Sequence, residues 1–109
     1  MSTISERALS YFRQPPHRLG CCQTIIAAVN GIDDPRVPEC AAFSGGRSPD
    51  GFCGAAHAVR MLHPDLEDAI TKEFTQKAGS VKCREIRAQN KASCQDCVKI
   101  AGDFLEAHK

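Results

Sequence analysis

Apolar residues along this chain recur at three- and four-residue spacings and nowhere alternate with period two, so the pattern predicts helices and no sheet. Thr3 and Glu6 have the spacing of a capping box, and Ile4, Ala8, Tyr11 and Phe12 fall on one face behind it. Pro15 and Pro16 stop this first helix, predicted over about residues 3–14, and a linker runs on through His17 and Gly20. Cys22, Ile25, Ile26 and Val29 make a second stripe, opened by Cys21 and Cys22 and closed at Asn30 and Gly31. Asp34 before Pro35 starts a short helix through Cys40 towards Phe43.

From Ser44 to Gly51, Gly45, Gly46, Pro49 and Gly51 exclude regular structure and deliver the chain to Cys53. Phe52, Ala55, Ala56, Val59 and Leu62 form the next stripe, with Cys53 in its first turn and His63 and Pro64 at its end. Leu66, Ala69, Ile70 and Phe74 follow, closed by Gly79, with Asp65, Glu67 and Asp68 at the end where the helix dipole favours acids. Cys83 lies in a short connecting segment. Ser93 and Asp96 cap a last helix whose inner face is Cys97, Ile100, Ala101, Phe104 and Leu105. The prediction is an all-α, single-domain bundle of about five helices with a glycine-rich loop before the third main helix. Residues 1–17 supply an N-terminal helix and linker, and 18–109 the cysteine-bearing helical domain.

A length of 109 residues leaves room for one core. With 42% hydrophobic and 25% charged residues the chain has the composition of a folded globular protein. Its formal charge of +1 gives no basic excess for a phosphate backbone, so nucleic acid is not an expected partner. No apolar run reaches the roughly 18 residues of a membrane span, and the first residues carry Glu6 and Arg7 where a secretory leader needs an apolar core. No membrane partner and a cytoplasmic location are expected.

Seven cysteines are the unusual feature. In a reducing compartment such a count points to metal binding or thiol chemistry more than to a disulfide scaffold. Cys22, Cys53, Cys83 and Cys94 lie on four separate elements, and a cysteine at a helix start has its thiolate favoured by unpaired backbone N–H groups. Four thiolates suit zinc or an iron–sulfur cluster. Cys94 and Cys97 form the one CxxC, open to a dithiol role, and Val98 excludes the histidine of a haem-attachment motif. Cys40 reads as a small packed hydrophobe. Cys21, adjacent to Cys22, points about 100° away from it and can hardly share its site. His57, one turn beyond Cys53, is open to a role as ligand, base or surface histidine, and Arg60 and Arg84 are candidate counter-charges.

Cys22, Gln23, Thr24, Ile25 and Ile26 opening a helix, Phe43, Ser44, Gly45 and Gly46 before Cys53, Gly54 and Ala55, the run Gly79 to Ile86 around Cys83, and Cys94 ahead of Phe104 and Leu105 together resemble the redox-active family named C_GCAxxG_C_C. The resemblance covers about residues 18–106. It implies a helical bundle whose four cysteines fall on Cys22, Cys53, Cys83 and Cys94, with Cys21, Cys40 and Cys97 as additions and Ala58 where the family motif closes on glycine. A similar domain in split-Soret-type cytochromes implies a [2Fe-2S] cluster. The reading is electron transfer or redox sensing through those four cysteines, with Cys97, Cys21 and His57 as alternate ligands. It implies a redox partner protein and allows a homodimer. A metal-free thiol–disulfide protein and a structural zinc module are the alternatives.

Overall fold

The computed structural model describes residues 3–13, 19–41, 51–89 and 92–108. Within them the chain forms α1 (Ile4–Tyr11), α2 (Cys21–Asn30), α3 (Arg36–Glu39), α4 (Gly54–Leu62), α5 (Glu67–Ala78), α6 (Cys83–Gln89) and α7 (Cys94–Ala107), with a 3-10 turn at Pro64–Leu66 before α5. Extended pairing among the described residues is limited to two isolated bridges, Phe12 with Leu19 and Phe52 with Lys82. The fold is all-α, as the spacing predicts. The unpredicted helix is α6: only Cys83 and Ile86 of its residues are buried, too few to mark a face. Most of the predicted glycine-rich loop, Phe43 and His17 lie outside the described residues. Among those described, no helix is long and apolar enough to cross a membrane.

α2 occupies the centre. Cys21, Cys22, Thr24, Ile25, Ile26, Ala27 and Ala28 are all buried, so the helix is covered on most sides, by α1, α3, α4 and α7. Thr24 lies in the α1 contact with its hydroxyl donating to the Ala8 carbonyl, which removes the cost of burying it. Phe74 and Ile70 from α5, Val59 from α4 and Val98 from α7 fill the core beside Ile25 and Ile26.

Two chain reversals bring helix starts to one end of the bundle. After α1, Arg13 adopts φ +55°, left-handed backbone that a non-glycine residue rarely takes. There the Arg13 N–H donates to the Leu19 carbonyl at 3.0 Å and the Leu19 N–H to the Tyr11 carbonyl at 3.2 Å, seating the start of α2 beside the end of α1. After α5, Gly79 at φ +87° supplies the left-handed residue that ends the helix. The chain then passes Val81, whose carbonyl accepts the Cys53 N–H at 2.8 Å, so the starts of α4 and α6 are tied together. The α7 start is fixed by the predicted capping box: the Asp96 N–H donates to the Ser93 hydroxyl at 3.1 Å and the Ser93 N–H to the Asp96 carboxylate at 3.0 Å.

Candidate functional site

These ties determine where the thiols go. Cys21 is the first residue of α2, Cys53 the residue before α4, Cys83 the first of α6 and Cys94 the first of α7. The Cys21 thiol lies beside Cys94 and within electrostatic reach of Cys53. Cys53 is in hydrogen-bonding contact with Cys97, one turn into α7. Cys83 lies within electrostatic reach of Cys53 and Cys94. Five thiols thus share one end of the bundle, and they are paired across helices, Cys21 with Cys94 and Cys53 with Cys97.

Cys94 is the most exposed of the seven, half-buried where the others are buried. It opens into a cleft of about 340 Å³ walled by Phe12 and Arg13 from the end of α1 and by Ser93 and Gln95. Two guanidinium groups face this side. Arg13 stacks on the Phe12 ring at 4.8 Å and favours the Cys21 thiolate. Arg87, one turn beyond Cys83 on α6, lies beside Cys94 and favours the Cys83 thiolate. Arg84, the predicted counter-charge, is exposed.

The helix starts do not lower these thiols' pKa values as expected. Backbone N–H groups of Ala55 and Ala56 do pull Cys53 down, but hydrogen bonding with Cys97, burial and the charge of Cys97 outweigh them, and Cys53 is pushed well above the ordinary thiol range. Burial, with Cys53 and Cys94 adding to it, pushes Cys21 up to about 12 from 9.0. Burial likewise raises Cys83. A folded chain that keeps these thiols protonated while the unfolded chain ionises them near 9.0 has full stability below that pH and loses it as pH rises towards 12. Melting temperature is expected to be flat from neutral pH to about 9 and then to fall, each such thiol costing ~1.4 kcal/mol per pH unit. Thermal melts across that range, with thiolate absorbance followed in parallel, check this. Several thiolates in a still-folded chain near pH 9 would contradict it.

The remaining predicted residues lie as follows. Cys22 lies within electrostatic reach of Cys21 and Cys53 but packs into the core, where its thiol donates to Met61 Sδ at 3.8 Å beside Cys40. Cys40 is fully buried, as its packing role predicts, with its thiol also donating to the Arg36 carbonyl. His57 is buried, and its Nδ1 accepts from Arg60 Nε at 2.8 Å, which takes that nitrogen from any metal. Arg60 lies flat on Phe52, 3.7 Å from the ring centre. Among the described residues no three His, Cys, Asp or Glu side chains stand close enough together to grip one metal ion. No family model, no curated protein and no solved structure matches the chain.

Arg13 and Arg87 were not among the sequence candidates. The four-residue step from Cys83 to Arg87 carries a signal, since a helix stacks those positions. Arg13 carries none, because its approach to Cys21 depends on the reversal between α1 and α2.

Proposed function

We propose that this is a redox-active protein whose working unit is the Cys21–Cys94 thiol pair. The observation behind this is the cross-helix approach of a buried thiol to the most exposed thiol of the seven. Cys94, beside Arg87, attacks a partner disulfide and forms a mixed disulfide, releasing one partner thiolate that takes up a proton. Cys21 then gives up its proton and attacks Cys94 sulfur as the thiolate, closing the Cys21–Cys94 bond and expelling the second partner sulfur, which takes up a proton in turn. Two protein thiols have given two electrons and two protons, and one disulfide has become two thiols. Burial of Cys21 keeps it protonated until the mixed disulfide forms beside it. A cytoplasmic setting agrees with seven free thiols.

A second reading is the [2Fe-2S] cluster. The donor set fits in softness and number, and its division into Cys21 with Cys94 and Cys53 with Cys97, with Cys83 alongside, suits two irons that each take two thiolates. Bound there, the cluster supplies one-electron transfer. The resemblance to the C_GCAxxG_C_C family supports either form of redox chemistry. A mononuclear zinc site, which needs four donors around one point, has less support.

Protein purified without oxygen and treated with a small-molecule disulfide is expected to lose two hydrogens in mass, with peptide mapping joining Cys21 to Cys94. No oxidation, or a bond elsewhere, overturns the dithiol reading. A visible charge-transfer band with about two irons per chain replaces it with the cluster.

A further inference from the structure

The sulfur atoms outside the cluster form a group of their own. Cys22 from α2, Cys40 at the end of α3 and Met61 from α4 meet in the core: the Cys22 thiol donates to Met61 Sδ at 3.8 Å, and Cys40, whose own thiol donates to the Arg36 carbonyl, lies within electrostatic reach of Cys22. Three separate elements thus bring two thiols and a thioether together. Cys22 and Cys40 have no exposure, while Met61 is half-buried, which gives the group a way in from one side.

We propose that Cys22, Cys40 and Met61 form a binding site for a soft monovalent cation of the copper(I) class. A thioether is a poor donor for zinc and for hard cations, whereas thiolate and thioether together select copper(I). Metal–sulfur bonds of about 2.3 Å from one ion to three donors hold the sulfurs roughly 4 Å apart, the separation already present between Cys22 and Met61. Cys40 exchanges its bond to the Arg36 carbonyl for the metal. Binding replaces the two thiol protons, which leave to solvent, and involves no electron transfer. The bound site carries one net negative charge; around Cys40, Glu39 and Asp34 disfavour that charge and the Arg36 guanidinium, paired with Asp34 at 3.3 Å, favours it. The site uses neither thiol of the Cys21–Cys94 pair as a donor, although Cys21 lies within electrostatic reach of Cys22.

The chain contains two methionines, Met1 and Met61, so a protein labelled with carbon-13 at the methionine methyl groups shows two signals. Copper(I), added without oxygen up to an excess over all seven thiols, is expected to shift the Met61 methyl and leave Met1 in place. Cys22→Ser and Cys40→Ser are each expected to abolish that shift. Met61→Leu, which preserves packing volume, is expected to lower the copper(I) held against a competing chelator by about one equivalent. A stationary Met61 methyl in copper-loaded wild type, a shift that survives both serine variants, or unchanged copper content in Met61→Leu overturns the proposal. The first and last of these stand even if the serine variants fail to fold.

Discussion

Cys94→Ser is expected to abolish two-electron oxidation of the native protein, whereas Cys97→Ser is expected to leave it within about twofold of wild type. The CxxC spacing alone points the other way, to a bond between Cys94 and Cys97. In the fold, Cys94 lies beside Cys21 across the α2–α7 boundary, and Cys97 is buried against Cys53. The two pairings also differ in what they do to stability. A Cys21–Cys94 bond closes a loop of roughly 70 residues and constrains the unfolded chain by about 4 kcal/mol, against about 2 for the four-residue loop within α7. Oxidised wild type is therefore expected to melt well above the reduced protein, and Cys21→Ser to remove both the oxidation and the gain. Calorimetry of oxidised and reduced samples of the three variants reads both effects. An oxidised Cys21→Ser chain joined through Cys94 and Cys97 would move the chemistry onto the CxxC.

Periodicity made the helices legible because most present one apolar stripe. The N-cap at Thr3, the full capping box at Ser93 and the stop at Gly79 were legible for the same local reason, though Glu6 bonds the Thr3 hydroxyl and does not return to its backbone N–H as a capping box would. The fate of Cys21 and Cys22 was not. The 100° step per residue correctly implies that they face different surroundings, but choosing the site-facing one by alignment with Ile25 and Ile26 presumes that the apolar stripe leads to the site. In α2 that stripe leads into the core, and the other face is covered as well, by the helix starts that carry the remaining thiols. A helix buried on most sides offers no polar face from which direction can be read. Cys97 is the related case: its place on the inner stripe of α7 signals packing, and only the tie between Cys53 and Val81 brings a second thiol against it.

Gly102→Ala is expected to destabilise the protein by about 2–4 kcal/mol, opposite in sign to what helix propensity predicts. In the interior of α7, exchanging glycine for alanine by itself stabilises by roughly 1 kcal/mol. Here the added Cβ would stand 2.6 Å from Ser5 Cα and 2.8 Å from Ser5 N, backbone atoms that no side-chain rotation can withdraw. α1 must therefore move away from α7. That displacement strains the Ser5 hydroxyl bond to Asp103 at 2.7 Å and the Ile4 N–H bond to Glu106 at 3.1 Å, each worth about 1 kcal/mol. The consequence reaches the thiols, because α1 leads into Phe12 and Arg13, which wall the cleft over Cys94. Chemical denaturation is expected to show the loss of stability, and the rate of Cys94 alkylation in the still-folded variant is expected to rise as that wall shifts. A stabilised variant with unchanged alkylation would mean that α1 does not rest on α7 at Gly102, and that the cleft wall is set by the reversal at Arg13 alone.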